Sequence, residues 1–247
     1  MLSVLLSALA LAAPPAQAGA AAPEGSFLYQ PAFCIDEELR GPAEPYVPQP
    51  GDIMLRLDHS VFWRVTHYMA LAFDPNGSGI VFARPDGSLA VLEAGPNDTQ
   101  WVGTPDLLPH LGEYAAAGKV WVRRRRVPLT PEQAAKLTQF ALGADGKRFA
   151  LVRLAGQLTP FRSRGPVRTW FLGGPHSERS SYFCSELVCE ACVAAGLLDP
   201  ARTRPAATYP RDLFYGRSLN LFIDHHLDVN AGWCPPARWT DHPEPTH

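Results

Sequence analysis

Two turn sequences, each ending in glycine, divide the first half of the chain into short apolar runs. Pro75-Asn76-Gly77 and Pro85-Asp86-Gly87 both offer a glycine for the positive φ that tight hairpin turns require. The apolar runs beside them have the length of buried strands and are shorter than most helices. The pattern predicts an antiparallel hairpin meander whose strands are residues 53–57, 65–73, 79–83 and 89–93.

Helix signals follow this meander. Thr104-Pro105 places an N-cap residue before a proline at the first helical position. Thr130 and Gln133 have the spacing of a capping box, and Cys184 opens a further helical pattern that ends at Gly196. The predicted order is helix 104–118, strand 119–127, helix 130–143, a loop-rich stretch 144–181, and helices 184–196 and 210–215.

The composition is that of a globular chain. With 247 residues, of which 46% are hydrophobic and 19% charged, the chain can bury a sizeable core, and we expect one domain. A formal net charge of -2 provides no general attraction to nucleic acid. The basic run Arg123-Arg124-Arg125-Arg126 ends a predicted strand, where such a run is usually a solvated sheet edge. We therefore expect no nucleic-acid partner.

The N-terminus has the pattern of a secretory signal. Residues 2–13 are apolar, and Ala16-Gln17-Ala18 matches a small-residue cleavage site, although no Lys or Arg precedes the apolar stretch. We expect cleavage after Ala18, a secreted or periplasmic protein, and no membrane span in the rest of the chain. The predicted organisation is a signal peptide at 1–18, a Pro/Ala-rich arm at 19–49, a domain at 50–216 and a C-terminal extension at 217–247.

Five cysteines are an odd number, so an oxidising compartment would leave at least one thiol unpaired. Cys34 and Cys234 lie in the two flanks, where a bridge between them would tie the ends together. Cys189 and Cys192 are three residues apart on one predicted helix, which favours small buried packing residues over a bridge or half of a zinc site. On this count Cys184 is the free cysteine.

Cys184 is also the residue with the clearest chemical potential. At the start of a helix, unpaired N–H groups and the helix dipole favour the thiolate and can form part of an oxyanion hole. His67 is a candidate base, and Glu93 ends an apolar run, where a carboxylate turned inward must hold a partner. Each has a structural alternative: a buried cysteine, a strand histidine and a solvated carboxylate. The histidines that compete for the base role are His59, His176 and the pair His225-His226.

Four segments together resemble the NlpC-like papain-fold cysteine hydrolases, in their circularly permuted, YiiX-like branch. They are Pro50-Gly51-Asp52-Ile53, Thr66-His67-Tyr68-Met69-Ala70-Leu71, Val91-Leu92-Glu93-Ala94 and Phe183-Cys184-Ser185-Glu186-Leu187-Val188. In the ordinary branch the cysteine helix comes first, whereas in the permuted branch, as in this chain, it comes last. The family often has Val-Gly after the histidine, where this chain has Tyr68-Met69.

The resemblance implies an α+β fold of the permuted papain-like type, with an antiparallel, partly barrel-like sheet packed against helices. It implies Cys184 as nucleophile, His67 as general base and later acid, and Glu93 as the group that orients the imidazole. Asp52 matches the family's Gly-Asp turn, for which a structural role is expected. No metal or organic cofactor is implied.

The expected activity is thiol-dependent cleavage of an amide bond through an acyl-enzyme, with peptides of cell-wall material as the expected substrate. Two alternatives stay open: an acyltransferase or lipid-acyl thioesterase that uses the same residues, and a non-catalytic binding module that has kept the fold. The expected partner is a peptide, a peptidoglycan-like substrate or an acyl substrate, and the oligomeric state leaves no trace in the sequence. Trp63, Trp101, Trp170 and Phe171 are candidates to line a substrate groove, although aromatic residues more often belong to a core.

Overall fold

The structure is a computed structural model of the chain. It describes residues 23–31, 42–58, 65, 67–68, 72–150, 153, 165–167, 169, 171, 174–176, 179–218, 220 and 227–242. The predicted signal peptide at 1–18 therefore lies outside the described residues, and its cleavage stays a prediction.

The described strands and helices are numbered separately in chain order. The strands are β1 (Phe27–Pro31), β2 (Glu44–Pro45), β3 (Ile53–Asp58), β4 (Gly77–Ala83), β5 (Leu89–Ala94), β6 (Val102–Gly103), β7 (Gly118–Arg123), β8 (Arg148–Phe149), β9 (Ser181–Tyr182) and β10 (Ala237–Thr240). The helices are α1 (Leu107–Ala117), α2 (Pro131–Ala144), α3 (Cys184–Ala194), α4 (Pro210–Tyr215) and α5 (Val229–Gly232). Within this described part, no helix is long and apolar enough to cross a membrane.

Eight of the described strands form one antiparallel sheet in the order β2-β1-β10-β7-β3-β4-β5-β6. Strands β8 and β9 form a separate parallel pair. The prediction of an α+β fold with an antiparallel sheet is confirmed. The sheet is open, with β2 and β6 at its two edges, so the expected partly barrel-like shape is corrected to an open sheet.

The predicted strand at residues 65–73 is wrong at its described positions. Val65, His67 and Tyr68 have helical backbone, and Phe73 has a φ of 56°. Strand β3 pairs directly with β4 and, on its other side, with β7. No place between the first and third predicted strands is left for a second, although the β-branched and aromatic residues of this segment favour a strand locally.

Both flanks of the chain contribute to the same sheet. Strand β1 comes from the predicted arm, and β10, from the predicted C-terminal extension, lies between β1 and β7. A hydrogen bond from Trp239 Nε1 to Ser26 Oγ, 3.0 Å long, joins the two flanks. The sheet therefore extends beyond the predicted 50–216 boundaries.

Strands β3, β4 and β5 place alternate side chains on two apolar cores, as the two-residue period of a strand requires. On one face Leu55, Ile80 and Leu92 pack with helices α2 and α3. On the other face Met54 and Val91 pack with α1. Each fully buried side chain of this size contributes about 1.5 to 3 kcal/mol to folding, so the sheet is fixed from both sides.

The helix starts were predicted with mixed success. Helix α2 has the predicted capping box, because the Thr130 N–H donates to Gln133 Oε1 over 3.0 Å and the Gln133 N–H donates to Thr130 Oγ1 over 3.2 Å. Helix α1 begins later than predicted, with Asp106 rather than Thr104 at its N-cap. Arg84 explains the difference, because it donates to the Thr104 carbonyl and to Asp106 Oδ1 and so holds this segment extended beside β5.

The basic run does not form the solvated edge expected from its sequence. Arg123 is 1% exposed, and its guanidinium donates to the carbonyls of Leu213 and Cys234 and to Asn230 Oδ1 over 2.6 to 2.9 Å. The first arginine therefore joins β7 to α4 and to the C-terminal segment.

Candidate functional site

Cys184 is the first residue of α3, as predicted, and its side chain is buried with 8% exposure. The Ser78 hydroxyl on β4 faces the thiol without completing a hydrogen bond to it. The next residue fixes the start of the helix, because Ser185 Oγ donates to the Thr208 carbonyl over 2.7 Å.

The environment of this thiol disfavours the thiolate. Burial is the largest cause of a raised pKa for Cys184, and the negative charge of Glu93 adds to it, whereas Ser78 and Arg56 act in the opposite direction. The sequence predicted a lowered pKa from the helix N-terminus, and burial outweighs that effect. In the resting site, Cys184 is therefore a thiol at neutral pH.

Glu93 is fully buried on β5, and its carboxylate has three partners. Arg56 Nε donates to Oε1 over 3.0 Å, His110 Nε2 lies 2.8 Å from Oε2, and the Tyr114 hydroxyl donates to both oxygens over 3.1 to 3.2 Å. Burial raises the pKa of Glu93, but the charge of Arg56 and the contacts with His110 outweigh burial and hold the pKa below its usual value. The carboxylate is therefore ionised and paired.

These partners differ from the one that the sequence predicted for Glu93. None of the hydrogen bonds found for its two oxygens involves His67. Glu93 shares its face of the sheet with Val91 and α1, whereas the core that contains Cys184 lies on the other face. The role of Glu93 as the group that orients His67 is untested and stays a prediction.

Arg56 is held as closely as Glu93. Its guanidinium carbon lies 4.4 Å from the centre of the Tyr114 ring, and its side chain is 11% exposed. It pairs with Gly77 on β4, where a Cβ would come within 2.5 Å of Arg56 Cγ. The glycine therefore provides space for the guanidinium, and its φ is not positive, contrary to the turn prediction.

His110 and Tyr114 were missed as site residues. They lie one turn apart on α1, with ring centres 4.2 Å from each other, and both face Glu93. Tyr114 belonged to the predicted apolar stripe of this helix. Two polar rings at i and i+4 on a buried helix face were the available signal, because such groups need buried partners.

His67 is half-buried, and its imidazole is uncharged at neutral pH. Burial, followed by the nearby charge of Arg56, lowers its pKa from 6.5 to about 4, while the Phe73 backbone acts in the opposite direction. Its Nδ1 atom is buried without a hydrogen-bond partner. In the part of the chain that the structure describes, no hydrogen bond joins His67 to Cys184, but Arg56 acts electrostatically on both residues.

Of the competing histidines, the structure describes only His176. His59 and the pair His225-His226 lie outside the described residues. The His176 backbone N–H donates to both carboxylate oxygens of Glu190, over 2.9 and 3.1 Å. Burial raises the pKa of Glu190 to about 7, although His176 and Arg179 lower it.

A second ionic cluster holds the segment before α3. Arg153 forms a bidentate ion pair with Glu186, in which Nη1 donates to Oε1 over 2.8 Å and Nη2 donates to Oε2 over 2.7 Å. Glu186 also accepts from the Phe183 N–H over 3.1 Å, and Arg179 Nε lies 3.3 Å from its Oε1. This cluster fixes the start of α3 and therefore the position of Cys184.

Asp52 has the structural environment that was expected of it. It is fully buried and accepts hydrogen bonds from the Tyr46 hydroxyl over 2.8 Å, the Gln49 N–H over 3.1 Å and the Arg125 N–H over 2.7 Å. Burial raises its pKa to about 7, although these bonds and Arg124 lower it. Asp52 joins the predicted arm to β3 and to the end of β7.

The other cysteines pack in the core or lie away from Cys184. Cys189 and Cys192 are fully buried, as predicted, and burial raises the pKa of Cys192 to about 12. Cys234 is a free, half-buried thiol, and its predicted partner Cys34 lies outside the described residues. Among the described side chains, no group of three or more His, Cys, Asp or Glu is placed to hold a metal ion.

The aromatic residues considered for a groove are only partly described. Trp101 is 50% exposed and Phe171 is 83% exposed, and the guanidinium of Arg148 lies 5.7 Å from the Trp101 ring centre. Trp63 and Trp170 lie outside the described residues.

The chain has few detectable likenesses to known proteins. No protein-family model matches it, and no curated protein matches it. One similar solved structure is that of the metalloprotein yiiX from Escherichia coli O157:H7, DUF1105. The two chains are 24% identical over 61% of this chain and 67% of that chain, with a TM-score of 0.42. At this TM-score the likeness does not establish a common fold.

Proposed function

We propose that this protein is a thiol-dependent hydrolase of the permuted, YiiX-like papain type, with Cys184 as nucleophile and His67 as base. The observation that carries the proposal is the position of Cys184 at the first residue of α3, where its side chain packs in the core between α3 and the sheet. The backbone N–H groups at this helix start are suited to stabilise an oxyanion. The four sequence segments that resemble the family add to this support.

The pKa values favour attack by a thiol whose proton leaves during the reaction. Neutral His67 accepts the Cys184 proton as Sγ bonds to the carbonyl carbon, and the imidazolium returns it to the leaving amine or alcohol as the C–N or C–O bond breaks. Water then attacks the thioester, with His67 accepting its proton, and releases the carboxylic acid and the thiol. This sequence requires the imidazole to reach Sγ when substrate is bound.

The proposed substrates are amides, with cell-wall peptides first and acyl esters next. Incubation with p-nitrophenyl acetate, acid quenching and peptide mass spectrometry would detect an acetyl group on Cys184. We expect a labelled peptide in the wild type, none in Cys184→Ala and strongly reduced labelling in His67→Ala. Cys234→Ala is the matched control, and it should label as the wild type does. Equal labelling in His67→Ala would contradict the proposed base.

A non-catalytic binding module is the second candidate, and the raised pKa of Cys184 favours it. This alternative predicts no acetyl-enzyme at any pH and no turnover of peptidoglycan fragments or acyl esters. Transfer of the acyl group to an alcohol or amine in place of water would instead appear as a new ester or amide product. Product analysis with added acceptors separates transfer from hydrolysis.

Export by a cleaved signal peptide is part of the proposal. N-terminal sequencing of protein expressed with its leader should find Gly19 as the first residue in the exported fraction. A full-length protein that stays inside the cell would contradict it.

A further inference from the structure

Arg211 on α4 contacts two aromatic rings. Its guanidinium carbon lies 5.2 Å from the centre of the Phe73 ring and 5.5 Å from the centre of the Tyr215 ring. Tyr215 follows Arg211 by one helical turn, so the two side chains share a face of α4. Phe73 comes from a different segment and has a φ of 56°, which is costly for a bulky residue. The two contacts hold the guanidinium in a defined position.

The polar edge of this guanidinium has no acceptor in the part of the chain that the structure describes. The Nε atom is buried without a hydrogen-bond partner, and no described carboxylate pairs with the side chain. By contrast, the guanidinium of Arg123 is bound by backbone carbonyls and that of Arg153 by Glu186. A guanidinium is always charged, and a buried N–H without an acceptor is costly. Arg211 therefore has both the charge and the donors to bind an anion.

The helix that carries Arg211 lies beside the start of α3. Ser185 Oγ donates to the Thr208 carbonyl over 2.7 Å, and Thr208 precedes Arg211 by three residues. Helix α4 also packs on α3, and its residue Phe214 belongs to the same apolar core as Cys184. Helix α4 is therefore on the same face of the sheet as the proposed nucleophile.

The segment of the proposed base meets Arg211 from the other side. The Ala72 N–H donates to the His67 carbonyl over 2.8 Å. Ala72 packs against Tyr209, the N-cap residue of α4, and the next residue, Phe73, contacts the guanidinium. Arg211 therefore lies where the segment of His67 meets the helix that is bonded to the start of α3.

We propose that Arg211 is the specificity-determining residue of the proposed site and binds a free carboxylate close to the amide bond that is cleaved. This inference rests on the proposed function, whose substrate class it narrows to peptides with such a carboxylate. The planar guanidinium matches the two oxygens of a carboxylate and can bind both. Carboxylates are the anions of an unmodified peptide, which is why we choose a carboxylate over a phosphate.

The test uses two alkylating probes that differ in one charge: N-iodoacetylglycine, which has a carboxylate, and the neutral N-iodoacetylglycinamide. With either probe, Cys184 Sγ forms a C–S bond as iodide leaves, and the thiol proton passes to the buffer. Peptide mass spectrometry measures the rate at Cys184, and division by the rate for free N-acetylcysteine corrects for the reactivity of each probe. We expect the wild type to prefer the carboxylate probe by about tenfold and Arg211→Gln to lose this preference.

The matched control is Arg217→Gln, which removes a nearby exposed arginine and should keep the preference. An equal loss in both variants would assign the preference to general attraction and overturn the proposal, as would equal rates for the two probes in the wild type. Faster labelling by the phosphate of N-iodoacetyl-2-aminoethanol would overturn the choice of a carboxylate. Arg211→Met keeps an apolar contact with the two rings, and it replaces Arg211→Gln where that variant fails to fold by circular dichroism.

The two proposals can fail separately, because labelling needs no turnover. A carboxylate preference that Arg211→Gln abolishes, without any acetyl-enzyme from p-nitrophenyl acetate, would remove the hydrolase and leave a carboxylate-binding site beside Cys184. Acetyl-enzyme in the wild type without a carboxylate preference would leave the hydrolase and remove the role of Arg211. Since the acetyl probe is neutral, Arg211→Gln should form acetyl-enzyme as the wild type does.

Discussion

Arg56 Nε and Glu93 Oε1 lie 3.0 Å apart, although the strand β4 separates the two strands that carry these residues. The contact exists because β4 has glycine at both facing positions, Gly77 and Gly79. A pair of buried charges is thus accommodated by the absence of two side chains.

Gly77→Ala should destabilise the protein by about 1 to 3 kcal/mol, because its Cβ would overlap an arginine side chain that Glu93 holds in place. Gly143→Ala is the matched control: no atom lies within 4 Å of the added Cβ, and the helical site should gain about 0.5 to 1 kcal/mol. Urea denaturation measures both free energies of unfolding. Equal effects of the two substitutions would show that Arg56 moves aside without cost.

His67 should titrate near pH 4 in the folded protein, since burial and the charge of Arg56 lower its pKa from 6.5 to about 4. In the unfolded chain the pKa of His67 is about 6.5, so as the pH falls the unfolded chain binds this proton before the folded protein does. His67 therefore lowers the free energy of unfolding as the pH falls from 6.5 toward 4. NMR titration of the histidine ring protons tests this, with His67→Ala identifying the signal. A midpoint near 6.5 would contradict it, and Arg56→Gln should raise the midpoint.

Arg123→Met should destabilise the protein by roughly 3 kcal/mol, because it leaves the carbonyls of Leu213 and Cys234 without their buried donor. Burial lowers the pKa of Arg123 to about 10. The buried charge is stabilised by these two carbonyl dipoles and by Asn230 Oδ1. Arg126→Met, at an exposed neighbour, should change the urea midpoint little. A similar loss in both variants would assign the effect to the charge of the run rather than to the contacts of Arg123.

Local sequence patterns predicted the local features of the fold. The capping box of α2 depends on Thr130 and Gln133 alone, and the turn before β5 has Gly87 with the predicted positive φ of 86°. The strand prediction at 65–73 failed because a strand also needs a partner in the sheet. Strand β3 pairs directly with β4, and this pairing depends on the whole sheet rather than on the local sequence. A strand pattern does not specify a place in a sheet.

The site was predictable only where it depends on the local sequence. An inward carboxylate at Glu93 had to hold a partner, and it does. Its partners lie 37 residues earlier and 17 to 21 residues later in the chain, so only the folded sheet and α1 reveal them. The helix position of Cys184 was likewise local, whereas the burial that raises its pKa comes from packing on β4 and β5.

Asp52 should make stability fall as the pH rises from about 4 to 7. Burial raises its pKa from 3.8 to about 7, so the folded state holds this proton more tightly than the unfolded chain. The resulting stabilisation is complete below about pH 4 and is lost as the pH rises through 7. The difference in free energy of unfolding between the wild type and Asp52→Asn should therefore change by about 1.4 kcal/mol per pH unit across this range.

The comparison between the wild type and Asp52→Asn isolates the contribution of Asp52 to the pH dependence of stability, because Glu190 and His67 titrate in both proteins. Tyr46→Phe provides a further check: the Tyr46 hydroxyl donates to Asp52 and lowers its pKa, so its removal should extend the pH-dependent loss to higher pH. A difference between wild type and Asp52→Asn that stays constant from pH 4 to 7 would mean that Asp52 is ionised throughout, with Tyr46, Gln49 and Arg125 compensating fully for its burial.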